Sequence, residues 1–242
     1  TVFTNLPAAG AMRAYGIPQV SFAIESSVED MATALGMDSV VLRQMNMMPV
    51  GYVDSFSKNC NYFDSLNQCI AKGKAYMDYD RLQAEYAKQT GPIRRGVGMA
   101  IFWYNTAVWP ISLEASSCRM VMNQDGSVQL HIAETEIGQG ADTVFAQMVA
   151  DTVGIPFEKV HVVSTQDTDT TPFGTSAYAS RQTYVAGFAI HNIGTQLKNK
   201  LLNYASYLTN KPAETIDIVD GRVIDKASGD LLMNIDELAT TA

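Results

Sequence analysis

The sequence predicts an α+β fold in which mixed sheets pack against helices. Three observations support this prediction. Apolar residues recur at helical spacing in the first ninety residues, β-forming residues and turn dipeptides follow residue 91, and two loops each join a predicted strand to an amphipathic helix. With 242 residues, of which 47% are apolar, the chain can bury a sizeable core, so the composition excludes a disordered protein.

The first predicted elements are two helices. After a loop rich in Gly and Pro, Pro18 suits the first turn of a helix and Gly36 suits the position after its last turn. Asp38 then suits the N-cap of a second helix. Spacings of three and four residues predict their apolar faces, which comprise Val20, Ile24, Val28, Met31 and Leu35 in the first helix and Val41, Leu42, Met45 and Met48 in the second.

The following elements change from a helical connector to a β-rich region. Residues 64–88 predict one polar-faced helix, and residues 93–113 predict buried strands. Residues 117–136 and residues 216–224 each predict two strands joined by a tight turn. We therefore predict a first domain over residues 1–55, a helical connector over residues 56–91 and a second domain over residues 92–242.

Charge and cysteine content narrow the possible partners and location. Lys and Arg number 17 and Asp and Glu number 25, and the resulting net charge of −8 repels phosphate backbones and anionic headgroups. We therefore expect neither nucleic-acid binding nor membrane attachment. Three cysteines without metal-site spacing favour a reducing cytoplasm; they are Cys60, Cys69 and Cys118. Because the chain starts at Thr1 without a methionine, we expect it to be a piece of a longer protein.

A glycine-rich turn at residues 136–142 is the clearest signal of a site. Gly138 and Gly140 let the backbone approach a ligand closely, and unpaired amides at the start of the next helix favour an oxyanion such as phosphate or an oxidised metal centre. The turn lacks the third glycine of a dinucleotide-binding motif and the Gly-Lys-Ser/Thr ending of a phosphate loop. A tight turn without a ligand explains the same spacing equally well.

A second loop, at residues 164–180, is crowded with Ser and Thr and precedes a long predicted helix. The helix begins near residues 179–182, where free amides, a hydroxyl and an amide side chain again suit an anion. Gly187 and Gly194 each cost about 1 kcal/mol inside this helix, so we expect close packing there against another element or a bulky ligand. A solvated loop capping a buried helix is the alternative, but two such loops favour a shared anionic ligand.

Other titratable residues give weaker signals. The three histidines, His131, His161 and His191, lack the spacing of a metal site and are predicted to be structural. Glu134 and Glu136 alternate onto one face of a predicted strand, which suits paired carboxylates, but exposed charges on a strand face explain the pattern more simply. From the residues alone, the sequence predicts an anion-binding α+β protein.

Three motifs extend this interpretation. They are TNLPAAGAMRAYGIPQ at residues 4–19, GQG at residues 138–140 and AYASRQ at residues 177–182. In this order they resemble the molybdenum-binding part of the xanthine dehydrogenase and aldehyde oxidase family, and the resemblance covers effectively the whole chain. It implies a fragment in which residues 1–55 end a first molybdopterin-binding domain and residues 92–242 begin a second.

The resemblance also implies roles for individual residues. Arg13 and Ala179 are implied to border the molybdenum, where a guanidinium and backbone amides suit anionic oxo groups. Tyr15 replaces the stacking Phe of purine-oxidising relatives and, with Trp109, is implied to line the substrate site. The implied cofactor-binding residues are Gly138, Gln139, Gly140, Ser180 and Gln182.

One residue that the family requires is missing. The family uses a glutamate in a Gly-Glu motif as general base, and that dipeptide does not occur in this sequence. We therefore assign no catalytic residue and expect the active site to be completed by sequence outside this chain. The isolated chain is accordingly expected to be inactive.

The implied activity is oxidation of a purine such as hypoxanthine or xanthine, by insertion of a water-derived oxygen at an electron-poor carbon. The implied cofactor is molybdenum-molybdopterin in its mononucleotide or cytosine dinucleotide form, with FAD and iron–sulfur clusters on partner subunits of an oligomeric complex. Two alternatives stay open. They are an aldehyde or other N-heterocycle oxidoreductase of the same family, and a non-catalytic cofactor-binding or structural fragment.

Overall fold

The computed structural model describes residues 3–7, 10, 13–56, 58–104, 106–108, 114–163 and 167–241. The chain divides into two compact units, Thr1–Tyr104 and Asn105–Ala242. In the described residues, helices dominate the first unit and two small sheets with helices make up the second, which confirms the predicted α+β fold. The predicted domain boundaries stay a prediction. No helix among these residues is long and apolar enough to cross a bilayer.

Four helices lie in the described part of the first unit. They are α1 (Ile17–Leu35), α2 (Ser39–Met45), α3 (Ser65–Met77) and α4 (Tyr79–Tyr86). Pro18 lies in the first turn of α1, and Gly36 follows its last turn with a left-handed φ of 63°. The Asp38 carboxylate accepts the Val40 N–H at 2.7 Å and caps α2. Both predicted caps are confirmed.

The single helix predicted over residues 64–88 is wrong, because the chain breaks at Asp78. This residue has φ 53° and ψ 44°, so it ends α3 and begins α4 in the left-handed region. Asp tolerates this conformation better than most residues, and its carboxylate pairs with Arg81. The break turns Tyr79 inward, where only 2% of the residue is exposed.

The buried face of α2 differs from the predicted one. Val41 and Met45 are exposed, whereas Arg43 is only 4% exposed, so the predicted face is wrong. The Arg43 guanidinium pairs with Glu25 at 2.7 Å and with Glu29 at 2.8 Å. Because both carboxylates belong to α1, these ion pairs turn the Arg43 side of α2 toward α1.

Helix α1 forms as predicted, but its apolar stripe is not buried. Four stripe residues are more than half exposed: Val20, Ile24, Met31 and Leu35. The stripe faces away from α2 because Glu25 and Glu29 occupy the side that α2 contacts. The buried cluster in the described part of this unit instead comprises Val40, Ile70 and Tyr79.

Residues 93–104 and 106–108 do not form the predicted buried strands, and residues 109–113 lie outside the described residues. Alternate side chains of this segment pack against the buried cluster of the first unit; they are Val97, Met99 and Ile101. A strand also needs a hydrogen-bonded neighbour, and here the Ile101 N–H donates to the Glu25 carboxylate at 3.2 Å instead. The apolar pattern therefore reflects one-sided packing of an extended segment.

Two three-stranded sheets lie in the described part of the second unit. Their strands are β1 (Cys118–Met122), β2 (Val128–Ile132) and β3 (Val160–Val163), and β4 (Ile216–Val219), β5 (Arg222–Asp225) and β6 (Leu231–Asn234). The helices are α5 (Ala141–Val153), α6 (Gly187–Thr209) and α7 (Ile235–Thr241). The pairs β1–β2 and β4–β5 form the two predicted hairpins. Strands β2 and β3 are parallel because α5 crosses between them.

Helices α5 and α6 pack closely at two glycines. A Cβ on Gly194 would lie 2.8 Å from Thr152 Cγ2, and one on Gly187 would lie 3.2 Å from Met148 Cε. This confirms the predicted close packing. The core beside these helices includes Phe145, Val149 and Ile190. Close packing fixes the amino ends of both helices, and the two predicted loops lie at those ends.

The glycines that end α5 and α1 provide a matched test of the packing. At Gly36 the Cβ of an alanine would meet open space. Gly36→Ala should therefore lower the free energy of unfolding only by the strain of a left-handed residue, about 1–2 kcal/mol. Alanine at Gly154 adds overlap with the Ile218 carbonyl oxygen, so Gly154→Ala should lower the free energy of unfolding by roughly 3 kcal/mol or more. Urea denaturation of both variants measures the difference. Equal losses would contradict the close approach of α5 to β4.

Candidate functional site

Glu136 closes the glycine-rich turn from within. Its carboxylate accepts the Gly138 N–H at 2.6 Å and the Gly140 N–H at 3.2 Å. The other carboxylate oxygen accepts the Asp142 N–H at 3.1 Å. The prediction that these amides are unpaired is therefore wrong, because a carboxylate of the chain itself already holds them.

The charge of Glu136 is stabilised by this arrangement. Burial opposes the charge, but the N–H groups of Asp142, Gly140 and Gly138 outweigh burial and hold the pKa of Glu136 below its ordinary value. Glu136 is thus ionised at neutral pH, at the positive amino end of α5. With these backbone amides occupied, the turn contacts the second loop through the side-chain amide of Gln139.

Gln139 and Gln182 join the two loops. Gln139 Nε2 donates to Gln182 Oε1 at 2.6 Å, and both Nε2 groups donate to the Thr135 carbonyl, at 3.0 and 3.1 Å. Gln139 Oε1 accepts the Ile137 N–H at 2.7 Å, which fixes the side chain against its own turn. The Thr135 and Ser176 hydroxyls form a second link at 2.8 Å. Two loops that are distant in sequence therefore form one polar surface.

The second loop ends in two consecutive left-handed residues. Ala179 has φ 47° and Ser180 has φ 55°, a conformation that costs a non-glycine residue about 1–2 kcal/mol. The Ala107 N–H donates to the Ala179 carbonyl at 2.7 Å. Ser180 is exposed, and a π-helical turn, Gln182–Ala186, leads from it into α6. Other contacts must hold these two residues in their unfavourable conformation.

Arg181 supplies such contacts, and sequence reasoning misses it. Its fully buried guanidinium donates to the Glu114 carboxylate at 2.6 Å. It also donates to the carbonyls of Ala115 and Ser176, each at 2.8 Å, and lies 3.4 Å from the Glu134 carboxylate. The two carboxylates lie 67 and 47 positions away in sequence, so no local pattern reveals the network.

Glu134 and Glu136 do not lie on one face of a strand. Both predictions for this pair, paired carboxylates and exposed charges on a strand face, are therefore wrong. Strand β2 ends at Ile132, and Glu134 beyond it is fully buried. Gly174 approaches it so closely that a Cβ there would lie 2.8 Å from Oε1. Within the described residues, Oε2 has no hydrogen-bond partner. Burial raises the pKa of the Cys118 thiol to about 12, and the Glu134 charge adds to this effect.

The first unit places Arg13 and Tyr15 in a turn before α1. Three consecutive residues have left-handed φ values: Ala14 83°, Tyr15 57° and Gly16 90°. The Ile17 N–H closes the turn by donating to the Ala14 carbonyl at 3.1 Å. Arg13 is exposed, and Tyr15 is 77% exposed. Both side chains are therefore available for contact with a ligand.

No group of three His, Cys, Asp or Glu side chains in the described ranges is arranged to hold a metal ion. The histidines are dispersed over β2, β3 and α6; they are His131, His161 and His191. Their structural role stays a prediction. Trp109 lies outside the described residues, so its substrate role stays a prediction.

The chain matches models of known protein families. Residues 72–242 match a family model described as a molybdopterin cofactor-binding domain, and residues 1–47 match a second model with the same description. The chain belongs to the molybdopterin cofactor-binding domain family. All site residues predicted from the sequence lie in one of these two matched ranges.

Relatives of this chain are considerably longer proteins. A putative xanthine dehydrogenase molybdenum-binding subunit of Escherichia coli is 44% identical, with the alignment covering all of this chain and 32% of that protein. A probable hypoxanthine oxidase of the same species is 25% identical over 96% of this chain and 25% of its own length. The chain thus spans a third or less of the length of these relatives.

Solved structures share the molybdopterin-binding fold. An aldehyde oxidoreductase from Desulfovibrio desulfuricans has a TM-score of 0.64 and 30% identity, covering 79% of this chain and 21% of its own. A reconstituted CO dehydrogenase from Oligotropha carboxidovorans has a TM-score of 0.71 and 24% identity, covering 94% of this chain and 30% of its own. The second likeness concerns the fold alone.

The lowered pKa of Glu136 predicts a pH-dependent stability. Its carboxylate stabilises the fold above the ordinary pKa of about 4.3, and this contribution is lost as the pH falls through the lowered pKa. Glu136→Gln should therefore be less stable than the wild type at neutral pH, with a difference that narrows in acid. Thermal unfolding over a pH series measures this, with the exposed Glu158→Gln as control. A difference independent of pH would contradict the internal capping of the turn.

Proposed function

We propose that this chain is part of a molybdenum hydroxylase that oxidises purines such as hypoxanthine or xanthine. The observation that carries the proposal is the Gln139–Gln182 hydrogen bond, which unites two loops that the resemblance assigns to the cofactor. When bound, the molybdenum centre would insert a water-derived oxygen at an electron-poor carbon of the substrate and would take up two electrons. The residues of this chain bind and orient that group.

The groups beside the two loops fit a polar cofactor. The buried Gln182 uses one amide hydrogen on Thr135 and one carbonyl lone pair on Gln139, so its amide group retains one donor and one acceptor. The exposed Ser180 hydroxyl adds a donor and acceptor at the start of the helical turn. Pterin rings carry both kinds of group, so amide and hydroxyl side chains are suitable partners.

Each glycine of the first turn has a proposed role in the approach of the cofactor. Gly138 and Gly140 have φ values of 96° and 87°, and a Cβ on either would meet open space rather than protein. The side without a Cβ is therefore accessible to a bulky group. Glu136 holds the turn through its three N–H contacts.

Positive charge for an anionic centre is proposed to come from Arg13. Its guanidinium is exposed, and the planar guanidinium group suits recognition of anionic oxygens. The Ala179 backbone is proposed as a second contact beside the molybdenum. Neither role uses the amides that Glu136 already holds, so the internal carboxylate and the external anion do not compete.

Tyr15 is proposed to stack on the substrate, and Trp109 to line the same site. The ring of Tyr15 is 77% exposed, so one face is free to cover a flat heterocycle. The relatives named as xanthine dehydrogenase and hypoxanthine oxidase support a purine. The general base is proposed to lie in sequence outside this chain.

Electrons are proposed to leave through FAD and iron–sulfur clusters on partner subunits of an oligomeric cytoplasmic complex. The chain carries no cysteine pattern for a cluster of its own. The cofactor is proposed as molybdenum-molybdopterin in its mononucleotide or cytosine dinucleotide form.

Two other functions have specific support. The 30% identity to an aldehyde oxidoreductase favours an aldehyde as substrate. The missing Gly-Glu dipeptide favours a non-catalytic cofactor-binding or structural role. Purification of the complete protein, with metal and pterin analysis and assays on hypoxanthine and an aldehyde, separates the three. Stoichiometric molybdenum with purine turnover is the expected result, and aldehyde turnover alone would overturn the purine assignment.

Substitution of Tyr15 tests its stacking role. Removing an aromatic ring that stacks on a base costs about 1–3 kcal/mol, so Tyr15→Ala should raise KM for hypoxanthine roughly tenfold or more. Tyr15→Phe keeps the ring and should stay close to the wild type. Steady-state kinetics of the complete enzyme measures both variants. A Tyr15→Ala enzyme with unchanged KM would remove Tyr15 from the substrate site.

Substitution of Arg13 tests the anionic contact. Arg13→Ala removes a charge-assisted hydrogen-bond donor, so molybdenum retention should weaken by roughly tenfold or more. Arg94 is an exposed arginine of the same unit that no implied role involves, and Arg94→Ala is the matched control. Metal content after dialysis gives the comparison. Equal retention in both variants would remove Arg13 from the site.

A further inference from the structure

Arg181 crosslinks three segments of the second unit. One segment, directly before β1, contributes the Glu114 carboxylate and the Ala115 carbonyl. The second loop contributes the Ser176 carbonyl, and the segment after β2 contributes Glu134. The arginine side chain is fully buried, and the side chains of Glu114 and Glu134 are 10% and 0% exposed. A charge buried this completely is stable only while its partners stay in place.

The turn before Arg181 needs an anchor of this kind. Three of its residues have left-handed φ values: Ser176 73°, Ala179 47° and Ser180 55°. Such values are unfavourable for residues with a Cβ and persist only where surrounding contacts impose them. The Arg181 guanidinium holds the Ser176 carbonyl at one end of the turn, and the Arg181 N–H donates to Tyr178 at 3.0 Å. One residue therefore closes the turn with both its side chain and its backbone.

The geometry requires an arginine rather than a lysine. Nε donates to Glu114, one terminal nitrogen contacts Ser176 and Glu134, and the other donates to Ala115. These acceptors lie in different directions around a planar fork, which a guanidinium matches. A lysine ammonium group has its three donors on one nitrogen. Lysine would therefore keep the positive charge but could not contact all three segments.

We infer that Arg181 is a positioning residue, which holds the Ala179–Ser180 turn in its left-handed conformation through its contacts with Glu114 and Ser176. This inference rests on the proposed function, because that proposal assigns Ala179 and Ser180 to the molybdenum cofactor. Arg181 itself is fully buried and acts through the turn rather than on a ligand.

The test compares four forms of the complete enzyme: wild type, Arg181→Lys, Arg181→Lys combined with Ala179→Gly, and Arg222→Lys. Arg222 is an exposed arginine of β5 and provides the matched control. Two quantities are measured. Hydrogen exchange at the Ala107 amide, which donates to the Ala179 carbonyl, reports the turn, and molybdenum retained on dialysis reports the cofactor.

Arg181→Lys should speed exchange at Ala107 and weaken molybdenum retention, each roughly tenfold, the usual size of an effect from a residue that orients a binding group. Ala179→Gly should restore part of the retention, because glycine adopts a positive φ without strain. Arg222→Lys should match the wild type. Should Arg181→Lys not fold, Glu114→Gln, which keeps an oxygen acceptor and removes one buried charge, should shift both quantities in the same direction by less.

Every other outcome contradicts one step of this inference. Unchanged exchange in Arg181→Lys and Glu114→Gln would show that Arg181 does not hold the turn. Faster exchange with undiminished molybdenum, or no rescue by glycine, would show that the turn does not serve the cofactor through its conformation. A wild-type enzyme without molybdenum would refute the proposed function and the cofactor role of the turn, while the exchange comparison would still decide whether Arg181 holds it.

Discussion

The hydrogen bond between Gln139 and Gln182 is the contact on which the rest of the site depends. It joins two loops that are 43 positions apart, and both side chains donate to the same carbonyl, that of Thr135. The contact forms because α5 and α6 pack together without a Cβ at Gly187 and Gly194, which aligns their amino ends. Together with the hydroxyl link between Thr135 and Ser176, this contact joins the two loops into one polar surface.

The parts of the fold that local chemistry determines were predictable from the sequence. A glycine after the last turn of α1 and an aspartate before α2 mark helix ends, because their backbone or side-chain chemistry suits those positions. Turn dipeptides mark both hairpins. Which face of a helix is buried was less predictable, since the ion pairs of Arg43 with Glu25 and Glu29 decide the orientation of α2.

The candidate site was predictable as a pair of loops but not in its electrostatics. Sequence reasoning treats the amides of the first turn as available to an external anion, whereas Glu136 already binds them. It also misses Arg181, whose partners Glu114 and Glu134 come from distant segments. In both cases a carboxylate of this acidic chain is used internally. The polar groups left for a cofactor are therefore side-chain amides and hydroxyls rather than a row of free backbone amides.

The joined loops are proposed to form one cofactor-binding surface. Anomalous diffraction at the molybdenum absorption edge, from crystals of the complete enzyme, tests it most directly. A metal peak is expected beside Ala179, with the cofactor within hydrogen-bonding distance of Ser180 and the Gln139–Gln182 pair. A metal peak and cofactor bordered by none of these residues would contradict the claim.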